Sequence, residues 1–129
     1  MRTVFAFAFV LALATAEKVP TATQQAWDTF TKPFSAECVA ETGVKQEYAD
    51  RLYLYGEYPE DHALKCYVKC ISERLGILNA ASGEWILDMV LRIPGITSEI
   101  FGTCNDETKA DPDVCSKSFA VLKCFARHT

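Results

Sequence analysis

The sequence lacks any stretch able to span a membrane. Its one long apolar run, Val4–Ala14, is far shorter than the roughly 20 residues a spanning helix needs, and Asp, Lys, Glu or Arg interrupts every later one. It also lacks excess positive charge: 13 Lys and Arg stand against 17 Asp and Glu, and an acidic chain is repelled by nucleic acid and by anionic lipid. Only two histidines occur, His62 and His128. Neither has the partner aspartate and glycine-rich calcium loop that a secreted helical phospholipase needs, and there is no Gly-x-Ser-x-Gly elbow. An enzyme is therefore not expected. Asn-x-Ser/Thr sequons, internal repeats and low-complexity tracts are absent as well. No segment sustains a two-residue alternation, Tyr53-Leu54-Tyr55 being the only β-like scrap, which leaves an all-α fold.

What is present begins with a leader. Arg2 supplies a positive charge, Val4–Ala14 an apolar core, and Ala14-Thr15-Ala16 a small-residue cleavage site. Residues 1–16 read as a signal peptide and 17–129 as one mature domain of 113 residues, carrying a net charge of about −5. Such a chain is secreted, and its charge suits solubility at high concentration.

Helix punctuation divides the mature chain into six. Thr21 and Gln24 form a capping box for a first helix that ends at Gly43, with a kink expected at Pro33. Lys45–Tyr55 is a second, stopped by Gly56, and a third runs from near Pro59–Asp61 to Gly76. Ile86–Arg92 is a short fourth, closed by Pro94-Gly95. Thr97 caps a short fifth carrying Cys104. Asp111 as cap, with Pro112 at the first helical position, starts a sixth that runs to about Ala126.

Between the six cysteines, Cys38, Cys66, Cys70, Cys104, Cys115 and Cys124, lie 27, 3, 33, 10 and 8 residues. An even count behind a leader reads as a disulfide framework. Cys66 and Cys70 share a face of the third helix, about 40° apart, and a bridge within one turn would be badly strained. Cys115 and Cys124 sit half a turn and about 13 Å apart on the sixth helix and cannot bridge each other. Each forbidden pair removes three of the fifteen pairings, one common to both, so ten remain.

Opposite the cysteines, the third helix carries an apolar stripe of Leu64, Val68, Ile71 and Leu75, with Tyr67 at its margin. The sixth is apolar over a wide arc from Val121 and Val114 through Phe125 and Leu122 to Ala126 and Phe119. These faces, with the many aromatics, form either a packed core or the lining of a cavity, which periodicity does not separate. A cavity built on these faces takes Trp27, Phe30, Leu52, Tyr55, Leu64, Val68, Ile71, Trp85, Met89, Val90, Phe119 and Leu122 as its ligand-binding residues. Tyr53, Tyr55 and Tyr58 read either as exposed packing or as a rim whose hydroxyls orient a ligand. His62, Cys66 and Cys70 have metal-ligand spacing, but oxidised cysteines in an exported chain favour no metal. Asp106, Glu107, Asp111 and Asp113 lack the glycine and order of a calcium loop.

Two stretches, Cys66-Tyr67-Val68-Lys69-Cys70-Ile71-Ser72-Glu73-Arg74-Leu75-Gly76-Ile77-Leu78-Asn79 and Gly83-Glu84-Trp85, together with Gly43-Val44, the cysteine spacing and the Cys-x8-Cys near the end, resemble the six-cysteine odorant-binding proteins of insects. The resemblance spans the mature chain. It implies about six helices around a central hydrophobic pocket, stapled by interlocked disulfides Cys38–Cys70, Cys66–Cys115 and Cys104–Cys124. It implies a carrier of odorants, pheromones or similar lipophilic molecules through sensillum lymph or another secretion, with no cofactor, as a monomer or weak homodimer, and an olfactory receptor as a further partner. A salivary or seminal protein-interaction factor on the same scaffold is the alternative. The gap between the third and fourth cysteines is shorter than usual for that family. Only five residues follow Cys124, so a tail-based pH switch is not expected, and His128 with the terminal carboxylate makes at most a small lid.

Overall fold

The computed structural model describes residues 19–129, so the leader and its cleavage site lie outside the described residues. The described chain is all-α: α1 (Ala22–Thr31), a 3-10 turn (Lys32–Phe34), α2 (Ser35–Thr42), α3 (Gln46–Tyr55), α4 (His62–Arg74), α5 (Leu87–Val90), α6 (Ser98–Thr108) and α7 (Val114–His128). Local chemistry explains most boundaries. The Thr21 hydroxyl accepts from the Gln24 amide (3.1 Å) while the Gln24 side chain accepts from the Thr21 amide (2.8 Å), so two helix-end donors are satisfied reciprocally. Pro33 cannot donate, and the expected kink takes the form of the 3-10 turn between α1 and α2. Asp61 and Thr97 cap α4 and α6 through the amides of Leu64 (2.9 Å) and Ile100 (3.2 Å).

Two boundaries differ from the sequence reading. Asp113, not Asp111, caps the last helix: its Oδ1 accepts from the amides of Cys115 (2.9 Å) and Ser116 (3.3 Å). Asp111 instead accepts from the Asp113 amide (2.9 Å), an Asx turn that uses the carboxylate one step early and leaves Pro112 outside the helix. The expected helix Ile86–Arg92 shrinks to the four residues of α5, with Ile86 as its extended N-cap, the Ile86 amide donating to the Ile77 carbonyl (2.9 Å). That bond flanks an isolated antiparallel bridge between Leu78 and Trp85. The β-like contact is there, while Tyr53-Leu54-Tyr55 is helical.

The hairpin-like turn behind this bridge is built around Asn79. Its Oδ1 accepts from the amides of Ala81 (2.9 Å) and Ser82 (3.0 Å), and its backbone pairs with Glu84 and Gly83. Gly83 has a φ of 71°, and a Cβ there would stand 3.2 Å from Val114 Cγ2, so the turn sits tight against α7. The Lys117 ammonium also donates to the Gly83 carbonyl. These contacts set the position of Trp85.

Helix α4 is the central strut, packing most extensively on α7 and next on α2. The disulfides join the same neighbours: Cys38–Cys70 ties α2 to α4, Cys66–Cys115 ties α4 to the start of α7, and Cys104–Cys124 ties α6 to α7. Their Cα–Cα distances are 5.7, 4.5 and 5.7 Å. Closing loops of 32, 49 and 20 residues removes unfolded-chain entropy worth about 3–4 kcal/mol each if taken singly. Arg74 of α4 adds ion pairs to Glu37 (2.9 Å) and Glu41 (3.3 Å) of α2, exposed and correspondingly weak.

Candidate functional site: an apolar cavity between the helices

The helices border a cavity of about 50 Å³. Helix α1 contributes Trp27 and Thr31, and α3 contributes Tyr53. Val68, Ile71 and Ser72 come from α4, with Leu75 at its end. Ile77 and Trp85 come from the two sides of the bridge and Ile93 from the segment after α5. The α7 face supplies Ser118, Val121, Leu122 and Phe125. No charged side chain lines it. A wall of this composition favours apolar guests over water.

Five of the residues expected to bind ligand meet at this wall: Trp27, Val68, Ile71, Trp85 and Leu122. The other seven lie elsewhere. Leu52, Leu64, Val90 and Phe119 are buried in the surrounding core, and Phe119 packs edge-on against the Tyr58 ring at 6.0 Å. Phe30, Tyr55 and Met89 are partly exposed and do not reach the cavity, and the Arg51 guanidinium covers the Tyr55 ring at 4.4 Å. Thr31, Tyr53, Ser72, Leu75, Ile77, Ile93, Ser118, Val121 and Phe125 complete the wall without having been in that set. Leu75, Val121 and Phe125 do carry a sequence signal, being on the apolar faces of their helices. Ile77 and Ile93 stand outside the periodic segments and carry none.

Polar atoms in the wall are mostly spent locally. Thr31 Oγ1 donates to the Trp27 carbonyl (2.9 Å), Ser72 Oγ to the Val68 carbonyl (2.8 Å) and the Trp27 indole to the Pro94 carbonyl (2.7 Å). Burial pushes the Tyr53 phenol well above its ordinary range, and neighbouring Tyr67 and Tyr58 push it further, so it stays protonated at any physiological pH. Burial also raises Tyr58 and Tyr67, the latter against the opposing effect of its 2.9 Å hydrogen bond with Ser35.

Trp27 and Tyr53 have a second neighbour. They also border a groove of about 230 Å³ that opens between the start of α1 and the end of α7, where Thr21, Ala22, Thr23, Gln24, Tyr58, Ala126 and Thr129 complete its rim. The two aromatic side chains thus border both the cavity and this groove. A wider groove of about 360 Å³ beside α3 has Glu47, Arg51 and Glu57 in its wall. In the trio His62, Cys66 and Cys70, whose spacing alone suits a metal, the two cysteines are held in different disulfides. The clusters Cys38–Glu41–Cys70 and Cys104–Glu107–Cys124–His128 are likewise centred on disulfides, whose sulfurs offer no thiolate.

An all-helical domain stapled by three interlocked disulfides around a small, uncharged, apolar cavity is the class of protein these features define. The profile of the PBP/GOBP family matches residues 21–128, and the chain belongs to that family. It is 25% identical to odorant-binding protein 22 of Aedes aegypti over 100 residues, covering 74% of this chain and 71% of that one. It is 22% identical to general odorant-binding protein 99b of Drosophila melanogaster, over 71% of this chain and 67% of the relative. General odorant-binding protein 99a of the same fly is 26% identical, over 70% and 68%. No solved structure matches significantly. Among the described residues no helix is long and apolar enough to cross a membrane.

Proposed function

We propose that this protein is an extracellular carrier that reversibly takes small hydrophobic molecules, odorants or pheromones among them, into the cavity between α1, α3, α4 and α7. The observation that carries the reading is the uncharged apolar wall of this cavity, in a chain of the PBP/GOBP family. The affinity comes from removing apolar ligand surface from water, about 25 cal/mol per Å² before the costs of association. No chemistry and no cofactor take part. Residues 1–16 are removed on export, so that the mature chain begins at Glu17, and delivery to an olfactory receptor is the further step the family suggests.

A void of about 50 Å³ is smaller than the roughly 300 Å³ or more of ordinary ligand pockets. Ligand entry therefore requires the wall to move, and the Trp27–Tyr53 pair is where it gives. Displacing those two side chains joins the cavity to the groove at the end of α7 without disturbing a disulfide.

The test is titration of the oxidised secreted protein with N-phenyl-1-naphthylamine, followed by displacement with C8–C16 alcohols, esters and phenols. Saturable one-site micromolar binding, displaced competitively and lost on reduction, supports a carrier. A folded, oxidised protein that takes up no probe refutes it. That second outcome favours the interaction-factor reading, for which the exposed apolar side chains of Ile86, Leu87 and Leu91 around α5 are the specific observation.

A further inference from the structure

The three disulfides differ in what surrounds their sulfur atoms. Cys38, Cys70, Cys104 and Cys124 are buried, none more than 2% exposed, while Cys66 and Cys115 are both partly exposed. Each buried bridge has a carboxylate against one sulfur: Glu41 Oε2 lies 2.7 Å from Cys70 Sγ, and Glu107 Oε2 lies 2.9 Å from Cys124 Sγ. Arginines hold both carboxylates in place, Arg74 on Glu41 (3.3 Å) and Arg127 on Glu107 (3.2 Å). The Cys66 sulfur meets an imidazole instead, with Nε2 of the exposed His62 at 3.6 Å. The nearby Asp113 carboxylate is spent on the amides of Cys115 and Ser116.

Exchange with an external thiol needs a thiolate to reach one sulfur and the other sulfur to leave as an anion. A carboxylate against the bridge opposes both steps, because it repels the incoming anion and destabilises a thiolate formed beside it. Burial opposes them as well. An imidazole N–H favours departure of the sulfur it touches. We propose that Cys66–Cys115 is a reducible latch, opened by a dithiol while Cys38–Cys70 and Cys104–Cys124 stay closed. One thiolate of the dithiol attacks Cys115 Sγ and forms a mixed disulfide. The Cys66–Cys115 bond breaks, and its electron pair leaves on Cys66 Sγ, which takes the His62 proton. The second thiol attacks the dithiol's own sulfur in the mixed disulfide, and its proton goes to the departing Cys115 thiolate. The dithiol ends as a disulfide and the two cysteines as thiols, and His62 recovers a proton from water.

This latch acts on one end of α7. Cys66–Cys115 ties the start of that helix to α4, whereas Cys104–Cys124 holds its later part on α6. Opening it frees the first turn of α7 and the Gly83 turn that Lys117 holds. The Ser118 and Val121 side of the cavity wall then moves while the other two bridges keep the domain closed. The chemistry of the bridge does not depend on the carrier reading.

The experiment treats the oxidised protein with dilute dithiothreitol at neutral pH, quenches with N-ethylmaleimide at intervals and locates the labelled cysteines by peptide mass. Cys66 and Cys115 should be labelled at least about ten-fold faster than the other four. Glu41→Gln and Glu107→Gln should each speed opening of their own bridge about three- to ten-fold, and His62→Ala should slow that of Cys66–Cys115 by about three-fold or more. A Cys66→Ser, Cys115→Ser double variant holds the latch open. Its amide exchange should quicken in residues 79–84 and 114–118 and stay slow in residues 122–125. Labelling of all three pairs together, or of a buried pair first, overturns the proposal. Unchanged exchange in the double variant overturns the latch even if the bridge is the first to open. Equal opening rates in wild type and His62→Ala remove the imidazole from the step.

Discussion

Filling the cavity from Val68 tests the site most directly, because volume added there is read by both stability and binding. Val68 is buried on α4 and its side chain forms part of the wall. At about 24 cal/mol per Å³, an empty volume of about 50 Å³ costs about 1 kcal/mol. Val68→Leu extends one methylene into that space, worth about 0.8 kcal/mol of transfer free energy, and also recovers part of the cavity cost. The variant should therefore be more stable by about 1 kcal/mol, raising Tm by about 3–6 °C for a chain of this size. Val68→Trp overfills the same space: strain of about 1–3 kcal/mol is expected, with ligand affinity falling at least ten-fold and helical content kept. Urea unfolding with constant m-values measures the first quantity and probe displacement the second. A Val68→Leu variant destabilised by more than about 1 kcal/mol would mean there is no usable void beside Val68. Unchanged affinity in a folded Val68→Trp would take the residue out of the lining.

Three further outcomes are expected. Replacing Cys38 and Cys70 together with serine should cost about 2–5 kcal/mol in urea and free α2 from α4, seen as faster amide exchange in Ser35–Thr42; loss of less than 1 kcal/mol would mean the ion pairs of Arg74 suffice. Tyr53→Phe should flatten the alkaline end of the stability profile. A phenol raised in the folded state contributes stability that is complete below its unfolded pKa near 10 and is lost as pH climbs through the higher folded value, so wild type weakens above about pH 10 and the variant less so; parallel profiles from pH 8 to 11 would contradict this. Trp27→Phe removes the 2.7 Å bond to the Pro94 carbonyl and should cost about 1–3 kcal/mol, while speeding probe association through the loosened wall; unchanged association kinetics would relocate the entrance.

How much was legible in the sequence follows from the range of the forces involved. Helix ends are set by residues three or four apart, so Thr21, Gly43, Gly56, Asp61 and Thr97 were readable directly. Asp111 and Asp113 compete for one helix end at nearly equal local merit. The winner depends on where Cys115 must stand to reach Cys66, a contact from 49 residues away. The surroundings of α5 are likewise distant: its N-cap Ile86 donates its amide to Ile77, a partner that local periodicity does not show.

By itself the sequence determined an all-helical chain with its faces, caps and cysteines, since these depend on local backbone chemistry and helical period. Which apolar side chains surround the cavity was decided only by the packing of α4 on α7 and of the Leu78–Trp85 bridge over both. Leu64 and Val68 share one stripe, yet Leu64 fills the core and Val68 borders the void. Ser72 and Ser118 are the same residue type on facing helices, yet one returns its hydroxyl to its own helix and the other does not. A helical face limits which direction a side chain leaves the backbone; what it meets there is set by neighbours that are distant in sequence.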